Sequence, residues 1–239
     1  MMERYGVNRI VFSSSATVYG LTETVPIFEN DKIGDVISPY GMTKYLNELL
    51  LKDFCRQRPS FHAIALRYFN PIGAHPSGLI GEDPVDSVPN CLMPYITRVA
   101  LGQLPFLKVF GNDYPTKDGT GLRDYIHVVD LARGHLAAIK YMDKMRSNFD
   151  VFNLGTGKGT TVLELISTFE KINGVKIPYQ IVGRRPGDVA RSYASVTKAK
   201  IKMGWSADLT IQDCVRDSWK WQQDNPCGYS ESQTSKILN

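Results

Sequence analysis

Apolar positions in this chain follow two different periods, and their order predicts the elements. Residues 9–13 form a short continuous apolar run rich in branched side chains, the pattern of a strand covered on both faces. Residues 40–58 repeat apolar positions at helical spacing, with Leu46, Leu49, Leu50 and Phe54 predicted on one stripe and Pro59 as the stop. Residues 61–68 read as a second buried strand. Strand, helix and strand in direct succession form a βαβ unit, so the predicted class is α/β with a parallel sheet.

Around that unit the polarity pattern is less regular. Residues 1–8 read as a helix end and a turn, and residues 20–37 as a long surface connection. Gly and Pro recur between residues 69 and 89, which predicts an irregular, ligand-facing segment. Further helices are predicted over 92–101, 129–142, 161–173, 196–203 and 210–223, with strands at 109–110, 150–154 and 177–182. From Pro226 the chain turns polar, and residues 230–239 are predicted to be disordered. There is no internal repeat.

Composition narrows the function classes. With 239 residues, 43% of them hydrophobic, the chain can bury one substantial core, or one core and a smaller lobe. The formal charge of +4 is small and its Lys and Arg are scattered, which argues against nucleic acid or a membrane surface as partner. No apolar run approaches a membrane span, and Met1-Met2-Glu3-Arg4 does not read as a signal peptide. Cys55, Cys91, Cys214 and Cys227 are irregularly spaced and are read as free thiols, so a cytoplasmic location is expected. The His residues make no metal-ligand pattern, and no metal is expected.

Candidate chemistry begins at Ser38-Pro39-Tyr40-Gly41-Met42-Thr43-Lys44, a helix opening in which Ser caps and Pro fits the first turn. Tyr40 and Lys44 lie four apart, on one helix face, and the positive charge favours the phenolate. A hydroxyl from Ser13, Ser14 or Ser15 at the end of the preceding strand completes a proton-handling trio. In a chain with 12 Tyr the Tyr-x-x-x-Lys spacing arises by chance about once, so the Ser cluster and the helix start carry the weight. Gly155-Thr-Gly-Lys-Gly-Thr-Thr161 sits between strand and helix but matches neither the P-loop nor the dinucleotide fingerprint, and is read as a tight turn. Arg123 with Tyr125, and Arg184-Arg185 before Asp188, are two arginine sites suited to gripping a diphosphate.

Those segments carry a resemblance. Ser15, Tyr40 and Lys44, in this order, resemble the active site of the extended short-chain dehydrogenase/reductase family. Phe12-Ser-Ser-Ser-Ala-Thr-Val-Tyr-Gly20, Arg67-Tyr-Phe-Asn-Pro71, Gly73-Ala-His-Pro-Ser-Gly78 and Phe110-Gly-Asn-Asp-Tyr-Pro115 are similar to its UDP-glucose 4-epimerase branch. So are Asp118-Gly-Thr-Gly-Leu-Arg-Asp-Tyr-Ile-His127, Asn153-Leu-Gly-Thr-Gly157 and Arg184-Arg-Pro-Gly-Asp188, and the likeness runs from about Val7 to Tyr229.

The resemblance implies a Rossmann-like sheet with a smaller α/β substrate lobe. Residues 1–71 would be the C-terminal half of an NAD-binding domain. Residues 72–229 would form mainly a UDP-sugar lobe, with 122–142 packing back on the sheet. It implies interconversion of UDP-galactose and UDP-glucose through a 4-keto sugar with bound NAD, and a homodimer of the full-length form joined across the 40–58 helix. Tyr40 would exchange the proton, Lys44 would hold the nicotinamide ribose, and Ser15 would bond the reacting oxygen. Ser13 and Phe69 would also meet the cofactor. Asn70, Leu92, Phe110 and Tyr125 match family positions that hold the uridine diphosphate, as do Arg123, Arg185 and Asp188.

Three departures stand out. Cys91 replaces a second Asn after Pro89-Asn90. Ser192 occupies a position whose bulk limits the sugar C2 substituent, which predicts tolerance of UDP-GlcNAc and UDP-GalNAc. By comparison with the family the chain also lacks roughly the first 110 residues, including the glycine turn that seats the NAD pyrophosphate. A fragment of a longer product is therefore expected, an epimerase sequence whose activity needs the absent residues. The rival readings are another nucleotide-sugar enzyme of the same family and a non-catalytic UDP-sugar-binding or dimerisation module. A 4,6-dehydratase would carry an Asp-Glu pair where Ala16-Thr17 follow Ser15, which argues against that activity.

Overall fold

The computed structural model describes residues 1–22, 24–33, 36, 38–84 and 88–229. The predicted disordered tail, 230–239, lies outside the described residues. A short 3-10 turn at Glu3–Tyr5 replaces the expected helix end. Strand β1 (Arg9–Ser15) leads through a second such turn, Ala16–Tyr19, to helix α1 (Pro39–Gln57) and strand β2 (His62–Tyr68). β1 and β2 pair in parallel, Arg9 opposite His62 and Ser15 opposite Tyr68.

The chain continues through β3 (Asn70–Ile72), α2 (Leu92–Ala100), β4 (Leu107–Phe110), β5 (Leu122–Arg123), β6 (Tyr125–His127) and α3 (Val128–Met142). It then forms β7 (Phe149–Leu154), β8 (Thr160–Thr161), α4 (Val162–Asn173), β9 (Tyr179–Val182), β10 (Arg191–Ser192), α5 (Thr197–Met203) and α6 (Ile211–Asp224). β7 returns from the part of the chain expected to be mainly lobe and pairs in parallel with β2, giving the order β1-β2-β7. Three smaller sheets, β10-β5-β8, β3-β6 and β4-β9, build the remainder.

Local chemistry sets the helix boundaries. Ser38 caps α1, its Oγ accepting from the Gly41 amide at 3.0 Å, and Pro39 occupies the first turn. Helices α4 and α6 open with capping boxes, Thr161 with Glu164 and Thr210 with Asp213. Gly174 and Gly204, both at positive φ, close α4 and α5.

The predicted leucine stripe of α1 is turned outward. Leu46, Leu49 and Leu50 are 50%, 44% and 68% exposed, whereas Gly41, Glu48 and Cys55 are the buried positions. The physical reason is charge. Glu48 accepts from Arg67 on β2 and from Ser14 on β1, and a desolvated carboxylate with those partners fixes which face looks in.

Among the described residues two large apolar clusters result, beside two smaller ones. In the first, Ile64 and Leu66 of β2 and Phe152 and Leu154 of β7 pack against Leu131 and Ala138 of α3. In the second, Ile96 of α2, Leu107 of β4, Leu165 and Phe169 of α4 and Val215 of α6 close the lobe. Full burial of one such side chain contributes about 1.5–3 kcal/mol. Among the described residues no helix is long and apolar enough to cross a membrane.

Candidate active site

The capped start of α1 puts Tyr40 in its first turn and Lys44 one turn later, beside the carboxyl end of β1. The Lys44 ammonium lies 5.4 Å from the centroid of the Tyr40 ring and donates to the Ser13 carbonyl at 2.9 Å. Tyr40 is 57% exposed, so its phenol faces open space. Ser15, the last residue of β1, is 8% exposed; its Oγ accepts from the amide and hydroxyl of Thr17 at 3.2 and 3.0 Å. The Ser15 proton is not used in those bonds. Phe69 is 6% exposed and packs with Val18, Tyr19, Ile27 and Ala194 directly after β2.

Sequence reasoning passed over two neighbours of this group. The Tyr68 hydroxyl lies 2.7 Å from Ser13 Oγ and 2.5 Å from His135 Nε2, which joins the end of β1 to α3. Burial pushes the Tyr68 phenol above its ordinary range, opposed by the bond to Ser13. The only signal in the sequence was that Tyr68 is the last residue of a buried strand.

A cleft of about 330 Å³ opens in the lobe, between the β3 segment, the start of α2 and β4. Asn70, Leu92, Phe110 and Tyr125 line it together with Arg123, Arg185 and Asp188, so the structure gathers seven expected nucleotide contacts in one place. Arg123 donates to Asp188 at 2.5 Å, its side chain only 16% exposed. The Arg185 guanidinium lies 4.0 Å above the Phe110 ring, a cation–π contact that presents a planar fork at the cleft wall. Arg184 turns away, paired with Asp113 at 2.7 Å and stacked over Tyr114.

Cys91 shares this lining, whereas Ser192 stands apart from it. Cys91 lines the cleft as the residue before α2, and burial, then the nearby Glu82 carboxylate, push its thiol up. Ser192 lies in β10 opposite Arg123, outside the cleft lining, with its carbonyl accepting from the Asp124 amide at 3.0 Å.

The glycine turn after β7 is occupied by the protein itself. Asp124, fully buried, accepts from the amides of Thr156 at 2.8 Å and Gly157 at 3.0 Å, from the Thr156 hydroxyl at 2.7 Å and from the Ala194 amide at 3.1 Å. A Cβ at Gly155 would stand 2.5 Å from the Asp124 carboxylate, which explains glycine there. Amides already bound to a carboxylate are not available to a phosphate. Burial raises the Asp124 carboxyl above its usual range, against these four donors.

The parallel βαβ sheet, with Tyr and Lys one helical turn apart at the carboxyl end of β1, places the chain in the short-chain dehydrogenase/reductase class. UDP-glucose 4-epimerase of Dictyostelium discoideum is 52% identical over 232 residues, which are 97% of this chain and 67% of that protein. The Bacillus subtilis UDP-glucose 4-epimerase is likewise 52% identical, with 97% and 68% covered. The chain belongs to the UDP-glucose 4-epimerase family.

Solved structures agree. The Stenotrophomonas maltophila epimerase with bound NAD and formylated UDP-arabinopyranose superposes with a TM-score of 0.90 at 49% identity, covering 93% of this chain and 66% of that one. The Bifidobacterium longum epimerase in complex with NAD+ and UDP also gives 0.90, at 50% identity, covering 95% and 67%. A family model described as GDP-mannose 4,6 dehydratase matches residues 1–218. The chain spans about two thirds of the length of the epimerases it matches.

Proposed function

We propose that this chain carries the proton-handling pair and the nucleotide-sugar cleft of an NAD-dependent UDP-glucose 4-epimerase. The observation that carries the reading is the Tyr40–Lys44 pair beside the strand that ends in Ser15. Tyr40 would exchange a proton with the sugar 4-hydroxyl, and the Lys44 charge, 5.4 Å from the ring, stabilises the negative charge that develops there. Ser15 would hold the reacting oxygen with the proton that Thr17 leaves free. Arg123 and Arg185 would grip the diphosphate, and Asn70, Leu92, Phe110, Tyr125 and Asp188 would shape the uridine pocket.

NAD, when bound, would supply reversible hydride acceptance at C4 of the sugar. The residues present suit its nicotinamide end: Ser13 near the end of β1 and Tyr40 in the first turn of α1 are exposed, Lys44 stands between them, and Phe69 follows β2. The glycine turn at Thr156 and Gly157 does not suit the pyrophosphate end, because its amides are bound to Asp124. That contrast supports a second reading, a module that binds UDP-sugar without NAD.

Three finer points belong to the same reading. Ser192, small at the position that the resemblance assigns to the sugar C2 side, would tolerate UDP-GlcNAc and UDP-GalNAc; robust UDP-galactose turnover without any of UDP-GalNAc would refute it. The outward Leu46, Leu49 and Leu50 support a homodimer through α1, which Leu50→Glu should dissociate in sedimentation. Four free thiols suit the reducing cytoplasm, which imaging of a tagged chain would test.

The deciding experiment is NAD content of the purified chain after denaturation, alongside conversion of UDP-galactose to UDP-glucose. Stoichiometric NAD, with turnover lost in Tyr40→Phe, supports the enzyme. UDP binding with neither NAD nor turnover replaces it with the binding module.

A further inference from the structure

Ser13, Tyr68 and His135 form a hydrogen-bonded row on the face of the sheet away from α1. Ser14 points to α1, where its hydroxyl donates to Glu48 at 2.5 Å, so strand alternation turns Ser13 to the α3 side. There its Oγ lies 2.7 Å from the Tyr68 hydroxyl, which lies 2.5 Å from His135 Nε2. His135 Nδ1 completes the row 3.0 Å from the Leu131 carbonyl.

The direction of each bond follows from donor arithmetic. A carbonyl oxygen only accepts, so His135 Nδ1 carries a proton in either charge state. In the neutral imidazole Nε2 is then bare and accepts the single Tyr68 proton. Tyr68 has no second proton, so the bond between the hydroxyls is donated by Ser13. When the imidazole is protonated, Nε2–H donates to the Tyr68 oxygen. The Tyr68 proton then passes to Ser13 Oγ, and the Ser13 proton is free to point outward.

We infer that Tyr68 and His135 are positioning residues that set which way the exposed Ser13 hydroxyl hydrogen-bonds, and that protonation of His135 reverses it. Ser13 is well placed for such a signal to matter, because its carbonyl also holds the Lys44 ammonium. Tyr68 stays a phenol through the change, since burial holds its proton on. No carboxylate among the described residues is hydrogen-bonded to His135. The charges on the surrounding elements are the Asp130–Arg133 pair and Lys140 on α3, Arg9 of β1 paired with Asp143, and Tyr40 and Lys44 of α1 beyond Ser13. Across α3, α5 adds Lys198, paired with Asp150, and Lys200 and Lys202.

The consequence for binding rests on the proposed function, in which the Ser13 face takes the nicotinamide end; the row itself does not. The test is NMR of the chain carrying 15N-histidine and 13Cζ-tyrosine, from about pH 8.5 to about pH 5.5, the range in which histidine titrates. The expected result is an Nδ1–H tautomer for His135 at the alkaline end, with the Tyr68 Cζ signal shifting at the His135 midpoint. His135→Gln, which keeps the fold's polar contact, should leave Tyr68 Cζ flat. An Nε2–H tautomer, or a Tyr68 signal indifferent to the imidazole, overturns the inference.

NAD affinity measured over the same range separates the two claims. A change of about fivefold in the native chain, absent in Tyr68→Phe and His135→Gln, supports the row as a positioning device. Affinity independent of pH beside a responsive Tyr68 overturns that role. No NAD binding at any pH overturns the cofactor reading, while the NMR result still decides the row.

Discussion

Glu48 on α1 and Arg67 on β2 form a two-pronged ion pair inside the protein, with contacts of 3.0 and 2.6 Å and side chains 5% and 6% exposed. The pair fixes the rotation of α1, and with it the direction in which Tyr40 and Lys44 project. Glu48→Ala leaves the Arg67 charge buried and unpaired, and should lower stability by about 3–5 kcal/mol. Urea denaturation checks this, and the paired change of Glu48 and Arg67 to Leu and Met should recover most of the loss. An unmoved midpoint in Glu48→Ala would mean the pair does not anchor the helix.

The Arg123–Asp188 pair predicts an asymmetry in nucleotide binding. Arg123→Ala removes a cation proposed to grip the diphosphate and leaves the Asp188 carboxylate unpaired in the cleft lining, so UDP affinity should fall by about 10- to 100-fold. Asp188→Asn removes only repulsion and a partner, and should cost less. Calorimetric titration of UDP into the chain measures both. Equal losses would place the diphosphate elsewhere.

Cys91 offers a chemical footprint of the same cleft. Cys91 and Cys227 are exposed, Cys55 and Cys214 buried, so iodoacetamide should label the first two. UDP should slow labelling of Cys91, which lines the cleft, and leave Cys227 unaffected. Because burial and Glu82 raise the Cys91 thiol, its labelling rate should still be climbing at about pH 9, where an ordinary thiol has begun to level off. Mass spectrometry of the peptides reads each site.

Acid should release one helix cap in a defined window. Bonds from the Thr210 hydroxyl and amide, then the pair with Arg216, lower the Asp213 carboxyl from 3.8 to about 2. A folded value below the unfolded one contributes stability above pH 3.8 that is lost as pH falls toward 2. Thermal melts across that interval should show a shallower acid loss in Asp213→Asn than in the native chain. Identical slopes would remove Asp213 from the acid limb.

Much of this architecture was legible because it rests on repeated apolar spacing. The βαβ unit, the helix from Pro39 and the later helices follow from periodicity, caps and stops. The cleft was legible through resemblance, since Asn70, Arg123 and Arg185 are far apart in sequence and only the fold unites them. Hydropathy misled at α1, where Glu48 faces in and Leu50 faces out: a scale that scores residues singly cannot see that Arg67 and Ser14 await the carboxylate. Asp124 and the row from Ser13 to His135 were invisible for a related reason. Their members come from segments far apart in the chain, and hydrogen-bond geometry leaves no periodic trace.

Asp124 also dictates an order of events during folding. Its carboxylate reaches full burial only after the turn at Thr156 and Gly157 and the strand end at Ala194 have both arrived. Any state that dries Asp124 before those donors are in place carries an uncompensated charge, so water must leave last. Removing the carboxylate would therefore strip one acceptor from two separate segments at once, the turn at Thr156 and Gly157 and the strand end at Ala194.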